Sequence, residues 1–598
     1  MSSKETRDRL AELRAAMAAN GLDWYIINGT DAHLSEYVAP YWRTRAFISG
    51  FTGSAGTVLV SKDGAWLWTD SRYFIQAASQ IEGSGITLMK MDMEGVPTLQ
   101  TFICNSACKG DKVGIDASTI SIRDFRKDGA LYRRHGITLV GCDDLLCGIW
   151  KDRPSLPRTA IRLVPEAVAG LSSRDKLALI RSRLSAVGAD YTLVAMIDDI
   201  AWICNMRADD VECNPVFLSF LFIDQERAVL FTDLGRFSSG SLAQASKDFE
   251  VRPYEAVYDD LAMLAHGLPY YNDEKVNSRF MDILSCEDEV IGRDISTDLK
   301  ACKNPVELEG MRRSHLMDGI AFANAFSKVD FSKVDGTYDE IAISDLFACE
   351  RAKLPGYLGP SFNPISGFGE HGAMCHYSAS PESNARIDHD GLLVLDTGSQ
   401  FEYGMTDLTR TLLFGEATAE QKKDYTLTLK GHLALARARF IHPTRGYQLD
   451  VLAKQFMWKE GESFYHGTGH GVGFNLNVHE GPMRISTAPI DVVLEEGMVL
   501  SDEPGIYKEG RHGIRIENLL AVQKDIVTEF GQFMCFEVLS LVPYEKRLID
   551  ISMLTSEEVG QIDAYHKRVY EELVDKVEPS AVDWLREATR PLAACGDK

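Results

Sequence analysis

No stretch of this chain is apolar for long enough to cross a bilayer. Its longest runs, such as Val216 to Ile223, fall far below the ~20 residues a spanning helix requires. Paired cysteines are missing too. The twelve cysteines are scattered without a C-x-x-C pair, and although Cys104 and Cys108 have a ligand-like spacing, no partner pair follows at zinc-site distance. Buried free thiols are the expected state, which fits a reducing compartment. Basic residues are in deficit, 63 Lys and Arg against 87 Asp and Glu, for a formal charge of −24. A nucleic-acid binder needs a basic footprint, so that class is a poor fit. The first residues mix charges (Lys4, Glu5, Arg7, Asp8) with no apolar core behind them, unlike a signal peptide. The C-terminal Cys-Gly-Asp-Lys carries no peroxisomal or membrane signal. Low-complexity segments and coiled-coil heptads are likewise absent. The expectation is a soluble, cytoplasmic protein.

What is present is the composition of a packed protein, 45% hydrophobic and 25% charged over 598 residues. At ~150 residues per domain, that length implies three or four domains. An internal repeat divides the first half. Residues 7–23 (RDRLAELRAAMAANGLD) align without gaps to residues 174–190 (RDKLALIRSRLSAVGAD) with eight identities. Each copy reads as a helix ended by a glycine, Gly21 or Gly188, and a strand follows each (Trp24 to Ile27; Tyr191 to Val194). Leu10, Leu13 and Met17 share one face of the first helix. A second echo keeps nearly the same offset: AWLWTD at 65–70 against AVLFTD at 228–233, with Arg72 or Arg236 shortly after. Two matches in register imply duplicated α/β domains, placed at about 1–155 and 156–298. Pro154 and Pro157 mark the junction between them. A third unit, 299–598, opens where Asn304, Pro305 and Glu307 supply an N-cap, N1 and N3. It contains strand-like runs such as LLVLDTG and VLSDEPGIY. It ends in a helical extension, with one helix from the Thr555…Glu558 capping box and one around Trp584.

The chemistry concentrates in this last unit, which holds nine of the fourteen histidines between His371 and His512. Two carboxylates lie in GLLVLDTGSQFEYGMTDLTRT, Asp396 and Asp407, with Gly398 and Gly404 allowing a return between them. A hairpin would bring both within side-chain reach. Taken alone, Asp396 reads as a turn residue capping Thr397-Gly398, whereas Asp407 in an apolar strand demands a cation. His466, His470 and His479 fall in YHGTGHGVGFNLNVHEGP. Its alternating glycines lack the strand–GxGxxG–helix context of a dinucleotide loop and serve to bring imidazoles together. Glu503 (LSDEPGIY) and Glu517 (GIRIENLL) complete the set. Either could instead pair with an arginine among Arg511 to Arg515. Four carboxylates and one imidazole are what two adjacent hard divalent cations require, manganese, or cobalt and zinc as substitutes. Two such ions activate a water between them, which is the chemistry of hydrolysis.

With HGTGHGVG and EPGIY around them, the ordered residues Asp396, Asp407, His470, Glu503 and Glu517 resemble the pita-bread metallopeptidases. FISGFTGSAG (47–56), TDSRYFIQA (69–77), IAWICNMR (200–207), NPVF (214–217) and FNPISGFGEHGAMCHY (362–377) are similar to the long, three-domain Xaa-Pro aminopeptidases within that group. The resemblance runs from about residue 8 to about 590. It implies two creatinase-type α/β domains followed by a pita-bread catalytic domain, two manganese ions, and a homodimer. The substrates it implies are peptides with a free N-terminus and proline second, cleaved by a hydroxide bridging the two ions. It further implies that Asp407 and Glu517 bridge the ions, with Asp396 on one of them near the substrate amine and His470 and Glu503 on the other. His376 and His479 are implied at the scissile carbonyl, and His466 beside the proline. Glu503 would be the proton shuttle. Creatinase shares the fold but needs no such ligand set, the histone-chaperone relatives have degraded sites, and the duplicated first half argues against prolidase.

Overall fold

A computed structural model describes residues 3–286 and 288–592. The C-terminal Cys-Gly-Asp-Lys lies outside the described residues. The chain divides into two compact units, Met1–Pro165 with Leu171–Thr297, and Glu166–Gly170 with Asp298–Lys598.

The first unit contains both copies of the repeat. Helix α1 (Ser3–Ala19) buries Thr6, Leu10, Leu13 and Met17, the stripe expected from their spacing. Gly21, at φ +64°, turns the chain out of the helix, and the Leu22 amide bonds back to the Met17 carbonyl at 2.9 Å. Helix α2 (Ser173–Ala186) starts on a Ser172 cap. It ends in the same way, with Gly188 at φ +74° and Ala189 N to Leu184 O at 3.0 Å. The positive φ is why both helices stop at glycine.

Strands β1 (Trp24–Asn28), β2 (Thr57–Ser61), β3 (Ala65–Thr69), β4 (Thr87–Lys90), β5 (Lys112–Asp116) and β6 (Thr138–Cys142) form a sheet of order β4-β3-β2-β1-β5-β6. The second copy supplies β7 (Tyr191–Val194), β8 (Phe220–Asp224), β9 (Ala228–Phe231), β10 (Glu250–Arg252), β11 (Pro269–Tyr271) and β12 (Val290–Ile291). Their order, β10-β9-β8-β7-β11-β12, repeats the first. In each sheet the three successive central strands pair antiparallel and the outer pairings are parallel. The echo does not extend to the arginines. Arg72 pairs with the neighbouring Asp70, while Arg236 is buried against Asp210.

In the second unit, α3 (Pro305–Phe326) begins in the Asn304–Glu307 capping box, with Pro305 at its first position. Helix α4 (Glu340–Ala352) follows. Strands β13 (Ile365–Phe368), β14 (Gly391–Thr397) and β17 (Leu408–Phe414) form an antiparallel sheet. A small hairpin, β15 (Ser399–Phe401) with β16 (Gly404–Met405), intervenes between the last two. On one face Leu393, Leu395, Leu408 and Leu412 pack with Phe322, Phe326 and Phe347. On the other, Leu392 and Leu413 pack with Tyr425, Leu429 and Leu433 of α5 (Ala419–Ala436). Helices on both faces explain the unbroken apolar run around Asp396.

The remaining site-bearing strands are β18 (Gly469–His470), β19 (Val499–Asp502), β20 (Gly505–Lys508), β21 (His512–Arg515), β22 (Asn518–Thr528) and β23 (Gly531–Val538). Helix α6 (Ser556–Leu573) starts at the Thr555–Glu558 capping box. None of the described helices is long and apolar enough to cross a membrane. The described cysteines are free, yet Cys204 alone among them is fully buried. Cys108, Cys147, Cys286 and Cys349 are exposed, because they sit in turns, at element ends or on an outward helix face. The expectation of buried thiols is corrected accordingly.

Candidate metal centre

Asp396 is the penultimate residue of β14 and pairs in register with Thr409 of β17. Asp407, two positions before Thr409, therefore stands on the diagonal, and both aspartates are buried. The return between them is the β15–β16 hairpin rather than one tight turn. Gly398 is required there, since a Cβ would meet Ser361 Oγ and Thr406 O at 2.1 Å.

Three other segments converge on this pair. His470 ends β18, Glu503 follows β19, and Glu517 sits between β21 and β22. Asp407, His470 and Glu517 each offer a ligand atom within 4.8 Å of the others. His470 Nε2 is 3.4 Å from Asp407 Oδ2 and 3.5 Å from Glu503 Oε1. Its Nδ1 lies 2.9 Å from the Gly471 carbonyl, so Nδ1–H donates there and Nε2 is the atom turned to the carboxylates. Glu503 is steadied by the Ser501 hydroxyl at 3.2 Å, which also accepts from the His470 amide at 2.9 Å. Asp396 stands at the edge of the group, ion-paired with Arg515. Arg511 pairs with Glu420, so the alternative pairing of either arginine with Glu503 or Glu517 is not what forms.

The electrostatics of this group are strained in one direction. Burial, reinforced by Asp407, Asp396 and Glu503, pushes the Glu517 carboxyl well above the usual range. Burial pushes Glu503 up to about 7 even though His470 and Arg515 oppose it. Asp396 is raised by burial despite Arg515. Burial disfavours a charged His470, but Asp407 and Glu503 outweigh it and lift the ring to about 9. Asp396 Oδ1 and Glu517 Oε1 are buried without a hydrogen-bond partner, a costly state for a carboxylate. Divalent cations would relieve every one of these penalties at once. Hard oxygens with one imidazole are the donors such ions take, so the residues fit them.

His479 packs against this group, and His466 is linked to it through Tyr507. The His470 and His479 rings are 4.3 Å apart between centroids. His466 donates from Nδ1 to Gly467 O at 2.8 Å and meets the Tyr507 hydroxyl at 2.9 Å through Nε2. That hydroxyl accepts from Arg515 at 2.8 Å. His376 is half-buried, and its neighbour Cys375 interacts with Arg515, Glu503 and Tyr507. Sequence reasoning overlooked Tyr507, the Asp396 partner role of Arg515, and Thr409, whose hydroxyl donates to Glu517 Oε2 at 2.8 Å. The one available signal was the placement of Thr409 two residues after Asp407.

Residues 309–524 match the model of metallopeptidase family M24, and 532–592 that of the family's C-terminal region. Residues 9–146 and 152–307 match two creatinase/prolidase N-terminal domain models. The probable Xaa-Pro aminopeptidase P of Pyrenophora teres f. teres is 37% identical, with 99% of this chain and 93% of that protein covered. The chain belongs to the aminopeptidase P family of M24 metallopeptidases. It is accordingly a hydrolytic enzyme, with two creatinase-type domains ahead of a pita-bread domain. The probable Xaa-Pro aminopeptidase P of Coccidioides posadasii is 38% identical, covering 98% of this chain and all of its own. The solved X-prolyl aminopeptidase of Caenorhabditis elegans, described as a cytosolic enzyme with a di-nuclear active site, is similar at a TM-score of 0.94. It is 31% identical, with 99% of this chain and 100% of that one covered.

Proposed function

We propose that this aminopeptidase P family member releases the first residue from peptides that begin Xaa-Pro. Two divalent cations, manganese with cobalt or zinc as substitutes, are held by Asp396, Asp407, His470, Glu503 and Glu517. The observation that carries the reading is the convergence of buried carboxylates on His470, with Asp396 Oδ1 and Glu517 Oε1 left without partners. When bound, such a pair would lower the pKa of water to give a hydroxide nucleophile and would supply a positive field for the oxyanion that develops.

The chain's own residues do the rest. Asp407 and Glu517 would be shared by both ions, Asp396 would hold one of them, and His470 and Glu503 would hold the other. Asp396 also gives the substrate's free ammonium a counter-charge. Glu503 moves the proton to the leaving nitrogen. His376 and His479 donate to the scissile carbonyl, and His466 borders the proline. A proline peptide bond has no N–H and a fixed φ, so a site built for it must accept the ring and protonate a tertiary nitrogen.

The partners of this reading are peptides with a free N-terminus and, for the assembly, a second copy of the chain. A cytoplasmic location is proposed alongside, in keeping with the cytosolic Caenorhabditis elegans relative. We place the domain boundaries at 155/156 and 298/299. The deciding assay sets Arg-Pro-Pro, its N-acetyl form and Arg-Ala-Ala side by side with Mn²⁺. Cleavage of Arg-Pro-Pro alone is the expected result, and comparable cleavage of all three refutes proline-specific exopeptidase action.

A further inference from the structure

Glu340, the first residue of α4, is completely buried at 0% exposure, and each oxygen of its carboxylate receives two donors. Oε1 accepts from the Phe368 amide at 2.7 Å and from His371 Nδ1 at 2.8 Å. Oε2 accepts from the Tyr377 hydroxyl at 2.9 Å and from the Ala385 amide at 2.8 Å. These donors belong to one stretch of chain: the end of β13, the turn Gly369–Ala373, and both ends of the loop after it. The His371 and Tyr377 rings lie 4.4 Å apart, which closes the stretch on itself. The Ser366 hydroxyl also donates to the Glu340 carbonyl at 2.8 Å, fixing the start of α4 against β13.

A carboxylate sunk this deeply is unfavourable unless all its acceptor positions are used. Filling the same volume for packing alone would need only an apolar side chain. The four bonds therefore do something that packing does not, and the loop they hold shows what. Between His371 and Tyr377 it carries Cys375, which interacts with Tyr507 and Arg515, and then His376. We infer that Glu340 is a positioning residue for His376, gripping the loop on both sides so that this imidazole keeps its place at the metal centre. The inference rests on the reading above, in which His376 acts at the scissile carbonyl. The grip matters because a misplacement of about 1 Å at a catalytic group can cost about 10²-fold in rate.

The test is a double-mutant cycle with Glu340→Gln, Tyr377→Phe and His376→Ala, assayed on a Xaa-Pro tripeptide at saturating Mn²⁺. Tyr377→Phe removes one of the four donors and keeps the ring, so it reports even if Glu340→Gln folds poorly. Glu340→Gln is expected to lower kcat about 10- to 100-fold, and Tyr377→Phe about 3- to 10-fold, with KM and metal content unchanged. In the His376→Ala background neither substitution should lower kcat further. Hydrogen exchange should quicken across residues 369–385 and nowhere else in the unit. Losses that multiply on top of His376→Ala overturn the inference while leaving the His376 role intact. Loss of metal in Glu340→Gln also overturns it, since the residue would then act through β13 on the Asp396 strand. Wild-type kcat in His376→Ala overturns the catalytic reading itself, and the inference with it.

Discussion

The hydroxyl of Thr409 donates to Glu517 Oε2 at 2.8 Å, which leaves Glu517 Oε1 buried and unpartnered. One oxygen is anchored and the other is presented. A ligand oriented in this way loses less freedom when a cation arrives, and outer-shell bonds of this kind commonly affect metal affinity 10- to 100-fold. Thr409→Val keeps the shape and removes the donor. It should weaken Mn²⁺ retention by about 10- to 100-fold in chelator competition. Retention equal to that of wild type would mean that the hydroxyl orients nothing.

The metal load itself is the next expectation. Purified protein should hold two divalent ions per chain, and Asp407→Asn should hold fewer, because Asp407 is assigned to both ions. Elemental analysis of the two proteins decides the matter. Identical metal content would remove Asp407 from the bridging role.

Chemistry should separate from ligation at two histidines. His376→Ala and His479→Ala are expected to keep their metals and lose roughly 10²-fold in kcat, the usual cost of deleting a donor to a developing oxyanion. Near-normal kcat with intact metal would assign both rings to structure.

The metal-free protein should become less stable as pH rises. In the fold Glu503 is pushed up to about 7 from an ordinary 4.5. The stability linked to its proton is complete below pH 4.5 and lost as pH climbs through 7. His470, lifted to about 9 from 6.5, has the same sign over a higher window. Scanning fluorimetry of chelator-treated protein should show Tm falling between about pH 4.5 and 9, with a shallower fall below about pH 7 in Glu503→Gln. Added Mn²⁺, which favours the deprotonated ligands, should stabilise more at the alkaline end. A metal-free Tm that rises with pH is the contrary result.

Local signals carried much of the architecture. The Asn304 and Thr555 capping boxes, the α1 stripe of Leu10, Leu13 and Met17, and the glycines after α1 and α2 are all short-range, so they read directly from spacing. The repeat exposed the duplicated sheets for the same reason, since two copies of one local pattern signal each other. Asp396 and Asp407 were readable as a strand pair because few residues separate them. The partners of Arg515 and Glu340 were not readable. Arg515 meets Tyr507 within the β20–β21 hairpin, but it meets Asp396 only once that hairpin has come against β14, and no spacing in the sequence sets that contact. Glu340 looks like an ordinary first-turn acid in a helix, and its four donors lie downstream between Phe368 and Ala385. Exposed thiols such as Cys108 were misjudged because burial depends on which face of an element meets a neighbour.

The assembly of the centre from separated pieces has a bearing on the life of the chain before it is finished. Asp396, Asp407, His470, Glu503 and Glu517 come from distinct segments, and no two of them form a site until the strands between have paired. Under the proposed reading, a half-folded chain would lack the complete ligand set. Cations bound at the finished centre would, on that same reading, act as a fastener across strands that come from separated parts of the chain.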